Sequence, residues 1–187
     1  MLASGSPRRA ALLRAAGIDF EVRASGAEEW PYAGGPPAGY AEALARAKVA
    51  AVAGEVVVGA DTVVVVDGEV LGKPAGPQEA AAMLRRLSGR AHDLITGVAV
   101  RDGQNVRSAH GRTRVTFRTL SEEDIHDYVA SGEPDDKAGA YAYQGGAAAF
   151  VASLEGDADT VVGLPIRLLE GLLPDDLRRR LTRPGCG

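Results

Sequence analysis

The chain has 187 residues, 45% hydrophobic and 25% charged, enough for one domain of ordinary size with a real core and too few for two comfortable ones. Its net charge of -4 excludes a general nucleic-acid coat, so any polyanion must be gripped locally by a basic cluster. A single cysteine, Cys186, excludes an internal disulfide framework and a thiolate metal site, and no apolar run approaches the roughly 20 residues of a membrane span.

The first motif, LASGSPRR, starts at Leu2 and leaves no room for a signal peptide, so a cytoplasmic protein is expected. Leu2 and Ala3 read as the end of a short strand, Ser6 as an N-cap and Pro7 as the first helical residue. Arg8 and Arg9 then fall in the first turn, at the positive end of the helix dipole, where a cation costs roughly 0.3–1 kcal/mol unless an anion binds there. With Ser4, Gly5 and Ser6 beside them, they read as a polyphosphate cradle.

Residues 7–16 have helical spacing and stop at Gly17, before a short apolar strand, Ile18–Val22. A Gly- and Pro-rich loop leads to an Ala-rich helix, Tyr40–Val52, ending at Gly54. Val56–Val66 is a β-branched run expected to form a central strand buried on both faces. Asp67 and Gly68 signal a hairpin, and Pro77–Leu87 places Ala80, Met83, Leu84 and Leu87 on one helical stripe. Two strands, His92–Arg101 and Val106–Leu120, flank the turn at Asp102 and Gly103 and are expected to pair antiparallel. Ser121 caps an acid-rich helix to about Ala130. Gly132–Gly146 is polar, Gly-rich and long for a connection, which points to function. Phe150–Leu154 and Thr160–Val162 suggest a final hairpin, followed by helix from Pro165 onward and a basic tail of Arg178, Arg179, Arg180 and Arg183. One domain spanning 1–187 is expected.

Asp61 stands inside VVVGADTVVVV, where an unpaired carboxylate would cost several kcal/mol. A metal ion, a lysine or a reacting water would offset that cost. Lys73 lies just past the hairpin, where its strand returns toward the level of Asp61. GEVLGKP is no P-loop, since it has one residue too few between its glycines and Pro74 in place of the Mg²⁺-holding hydroxyl. Lys48 and Glu29 gain weight only from this company. His92, His110 and His126 lack ligand spacing, and Ser4 and Ser6 have no histidine pattern for a triad.

The segments LASGSPRR, GADTVVVVDGEVLGKP, SGRAHDLITGVAV, SGEPDDKAGAYAYQG and VVGLP follow one another in the order found in the Maf family of nucleoside triphosphate pyrophosphatases, which the chain resembles from Leu2 to about Leu173. The resemblance implies an α/β fold of the Maf/ITPase-like kind, an elongated mixed sheet flanked by helices with a central cleft, assembled as a homodimer. It implies phosphate contacts from Ser4, Ser6, Arg8, Arg9, Lys48 and Lys73, and a proton-accepting Asp61. Glu29 is implied as the second carboxylate toward a divalent cation, Mg²⁺ or Mn²⁺, with Asp136 and Lys137 flanking the site. The branch acting on dTTP and UTP is similar in having Arg, Thr and Gln at three specificity positions, here Arg8, Thr62 and Gln144. A glutamine amide both donates and accepts, matching the O4 acceptor and N3–H donor of a thymine or uracil. Two other readings stand beside it: a nucleotide-binding regulator of septum formation without turnover, and a pyrophosphatase for another base such as 7-methyl-GTP. Ala142 and Tyr143 depart from the family's more usual Gly and Ile before the glutamine.

Overall fold

The β-branched run Val56–Val66 forms strand β1, almost wholly buried, in a computed structural model that describes residues 1–181. It folds back through Asp67 and Gly68, both at positive φ (52° and 79°), onto β2 (Glu69–Leu71), pairing Val66 with Glu69 and Val64 with Leu71. Positive φ at both turn residues is the geometry that matches the twist of a tight hairpin. Strands β3 (Ala91–Asp102), β4 (Asn105–Phe117) and β5 (Val151–Glu155) complete a five-stranded antiparallel sheet in the order β2-β1-β3-β4-β5. Apart from those strand pairings, two isolated parallel bridges join Leu2 to Val22 and to Val58.

The described chain divides into two compact units, and it passes from one to the other inside β1, β3 and β4. The first holds Met1–Asp61, Thr96–Gly111 and the chain from Gly163 onward. Alternation along β1 and β3 gives it two apolar layers. Leu2, Val58, Ala60, Val98 and Val100 pack with Ala10 and Leu13 of α1 (Pro7–Ala15) and Leu169 of α6 (Ile166–Leu172). On the other face Ala3, Val57 and Ala99 meet Ala45 and Val49 of α2 (Pro37–Ala50). Helix α2 lies hard against the strands because Gly59 and Gly97 carry no side chain there: a Cβ on Gly97 would stand 2.3 Å from the Ala41 carbonyl carbon.

The second unit, Thr62–Ile95 and Arg112–Val162, has its own core. Val64, Val66, Leu94, Val115 and Phe117 pack against Leu84 and Leu87 of α3 (Pro77–Leu87), Ile125 and Tyr128 of α4 (Glu122–Ala130), and Tyr141 and Phe150. Helix α4 opens on a full capping box between Ser121 and Asp124.

Several expectations change. Thr160–Val162 is helical, part of α5 (Ala158–Val162), and there is no final hairpin: β5 pairs with β4 instead, Arg114 facing Glu155. The β-branched residues misled because Asp157 accepts a hydrogen bond from the Asp159 amide (3.0 Å), a local start signal that outweighs strand propensity. Ile18–Val22 contributes only the Val22 bridge. Helix α2 begins at Pro37, three residues ahead of Tyr40, and β4 ends at Phe117, short of Leu120. Helix from Pro165 is interrupted at Pro174 and resumes as α7 (Asp175–Leu181), where Arg178 pairs with Asp175. Arg183, Cys186 and the side chain of Arg180 lie outside the described residues. Among the described residues no helix is long and apolar enough to cross a membrane.

Candidate active site

Parallel pairing sets the position of Ser4. Ala3 N donates to the Val58 carbonyl (2.7 Å) and Val58 N to that of Met1 (2.9 Å), while Arg23 N donates to Leu2 O (3.0 Å). Parallel neighbours advance together at about 4.8 Å separation. Beyond the Leu2–Val58 bridge, Ser4 and Gly5 lead to Ser6, the cap of α1.

Ser6 caps α1 as expected, its Oγ accepting from Arg9 N (3.4 Å) with Pro7 as the first helical residue. Ser4, 6% exposed, accepts from Ser6 N (3.2 Å) and from Arg9 Nη1 (3.3 Å). Arg9 Nε donates to the Gly163 carbonyl (2.8 Å), a clamp supplied by the VVGLP segment that sequence reasoning did not foresee. The guanidinium is thus aimed before any ligand arrives. Burial pushes Arg9 below the ordinary arginine range, the charges of Asp61 and Glu29 oppose that, and Arg8 adds to it. These four groups therefore share one field.

Asp61 is answered by a lysine. Lys48, in the last turn of α2, donates Nζ to Asp61 Oδ1 and to Glu29 Oε1 (2.8 Å), and Lys48 and Asp61 are each 8% exposed. Gly59 allows the close approach, since a Cβ there would lie 3.3 Å from the Lys48 Cβ. Removing one member of such a buried pair costs roughly 3–5 kcal/mol, because the other charge is left uncompensated. Two carboxylates among Arg8, Arg9 and Lys48 leave one net positive charge, suited to an anion. Glu29 and Asp61 also converge on one cationic atom. Such a pair of hard oxygen donors fits a small divalent cation that takes its remaining ligands from phosphate and water. Among the described residues no three His, Cys, Asp or Glu side chains gather as a protein-only metal site.

The second unit holds the remaining candidates. Thr62, half-buried, follows Asp61 in β1, and Lys73 lies exposed in the loop after β2. Gln144 is exposed in the segment after the 3-10 turn Ala138–Ala140. Lys137 pairs with its neighbour Asp136 and donates to the Glu133 carbonyl (3.4 Å). The histidines stay apart: His110 bonds to Glu42 (2.8 Å), His126 is exposed, and His92 is buried with Nε2 2.7 Å from the Tyr141 hydroxyl. The role of Tyr141 went unread in the sequence, although a histidine in an apolar strand was the available signal.

The first unit thus combines an arginine-clamped helix start with a buried Lys48–Asp61 pair whose lysine also holds the exposed Glu29. A family model described as Maf-like protein matches residues 1–175. A dTTP/UTP pyrophosphatase of Pelotomaculum thermopropionicum is 52% identical over 179 residues, covering 92% of this chain and 94% of its own. One of Symbiobacterium thermophilum is 53% identical over 170 residues, covering 89% and 88%. Another dTTP/UTP pyrophosphatase, of Geobacter sulfurreducens, is 49% identical over 187 residues, covering 96% and 95%. The chain belongs to the Maf family.

Proposed function

We propose that this protein is a nucleoside triphosphate pyrophosphatase that hydrolyses dTTP and UTP to the monophosphate and pyrophosphate. The observation that carries the mechanism is the buried Asp61, held by Lys48 and acting by its charge on Arg9 in the first turn of α1. The relatives' shared name supports the substrates.

Water attacks the α-phosphorus, the bond from that phosphorus to the α,β-bridging oxygen breaks, and pyrophosphate leaves with its electron pair. Asp61 accepts the water's proton. The Lys48 ion pair holds the Asp61 carboxylate in place for that role. Ser4, Ser6, Arg8, Arg9 and Lys73 bind the phosphate chain, and cations fixed before the reaction stabilise its developing charge without rearrangement. A divalent cation, Mg²⁺ or Mn²⁺, held by Glu29 and Asp61, supplies further neutralisation of the phosphate oxygens. Thr62, Arg8 and Gln144 read the base. The family resemblance extends the proposal to a cytoplasmic homodimer.

Asp61→Asn tests the reading. With dTTP and Mg²⁺, pyrophosphate release is expected to fall about 10²-fold or more, while the variant stays folded. Near-normal turnover removes Asp61 from the chemistry. Tight dTTP binding with no turnover in the parent protein identifies a nucleotide sensor instead.

A further inference from the structure

The segment that carries Gln144 is tied down at points the mechanism above does not use. Gly139 N donates to the Gly72 carbonyl (2.9 Å), Ala142 N to the Tyr128 hydroxyl (3.0 Å), and Gly146 N to Glu133 Oε2 (2.9 Å). The Tyr141 hydroxyl shares a 2.7 Å hydrogen bond with His92 Nε2. Every partner belongs to the second unit. The Tyr141 ring is 5% exposed and meets the rings of Phe117 and His92 edge-on, at 4.8 and 5.5 Å. Gly139 has φ 67°, and a Cβ there would come within 2.9 Å of the Val64 methyls, so only glycine lets the backbone lie this close to β1.

We infer that Tyr141 and Tyr128 are positioning residues for base recognition: the Tyr141 hydroxyl ties its own residue to His92 of β3 and the Tyr128 hydroxyl, from α4, holds the Ala142 amide, so that Gln144 presents its amide in one orientation. The inference rests on the reading that Gln144 meets the pyrimidine. Gly72 immediately precedes Lys73, so the Gly139–Gly72 bond joins the base-reading segment to the loop of a phosphate-binding lysine. Core filling alone would be served as well by phenylalanine at both positions, since burial of the ring needs no hydroxyl. Yet one hydroxyl leaves this short segment for β3 and the other reaches it from α4. An amide that must donate and accept at fixed atoms of the base loses discrimination when its backbone wanders by about an ångström, and holding it beforehand removes the ordering cost from binding.

Tyr141→Phe and Tyr128→Phe keep the rings and remove only the hydroxyls. Both are assayed for pyrophosphate release from dTTP, UTP and CTP beside the parent and Gln144→Glu, with amide hydrogen exchange followed over residues 138–146. In each tyrosine variant KM for dTTP and UTP is expected to rise roughly three- to tenfold, with kcat held within about twofold. Preference over CTP should fall by the same factor and exchange should quicken within the segment. Faster exchange with unchanged preference reduces the hydroxyls to structural fastenings and overturns the inference. Unchanged exchange overturns the anchoring itself. Failure of the underlying reading has another signature: Gln144→Glu loses equally on every nucleotide, or the parent releases no pyrophosphate, and either outcome removes the inference with the reading.

Discussion

Lys48, Asp61 and His92 lie almost wholly out of water, and two different reasons make this tolerable. Lys48 and Asp61 neutralise one another, with Glu29 as a second partner for the lysine. His92, 2% exposed, stays neutral: burial pushes it down to about 4, against the weaker opposing effects of the Arg90 backbone and Asp93. The unfolded chain takes up that proton near pH 6.5 and the folded chain resists until about 4. Stability from this residue is therefore complete above about pH 6.5 and is lost as pH falls through that window, by roughly 3 kcal/mol in all. Urea unfolding at pH 7 and pH 4.5 should show a smaller loss for His92→Asn than for the parent; equal losses would refute the assignment. At this scale the helix start was legible, because a serine cap, a proline and two arginines are consecutive. The partner of Asp61 was not, since Lys48 lies 13 residues away and reaches it only when α2 packs on β1.

Among the elements, α2 depends most on what lies beneath it. Its seat on the sheet requires Gly59 and Gly97, and Gly97 has the Ala41 carbonyl oxygen 2.4 Å from where a Cβ would stand. Backbone cannot yield as a side-chain tip does, so Gly97→Ala is expected to cost about 2 kcal/mol or more and to shift Lys48 along with α2. Gly171, in α6 with nothing within 4 Å, is the control. Gly171→Ala should instead stabilise by about 0.5–1 kcal/mol through helix propensity. Guanidinium titrations of the two variants check both signs; equal effects would refute the close-approach account. Strand β1, the stripe of α3 and the capping box of α4 were all readable as local patterns. Residues 160–162 were not, because propensity favoured strand while a single aspartate three residues upstream set a helix.

Over the whole molecule, two apolar cores are built from one chain that runs through β1, β3 and β4 into each. Continuous strands make it hard for one core to melt while the other keeps its ladder. We expect calorimetry to record a single transition with equal calorimetric and van't Hoff enthalpies, consistent with the one domain expected from length. Two resolved transitions would divide the molecule into separate folding units.

What could be read before folding was whatever neighbours along the chain impose on one another: helix caps, the period of apolar residues, a tight turn's positive φ, and the ordered motifs of a family. The fold had to supply the rest. A parallel bridge from Leu2 to Val58 ties the chain ahead of α1 to β1, a lysine crosses from helix to strand to hold Asp61, and a carbonyl 154 residues away aims Arg9. Such contacts join positions far apart in sequence, and their geometry exists only once the sheet has closed and its buried charges have been forced to find one another.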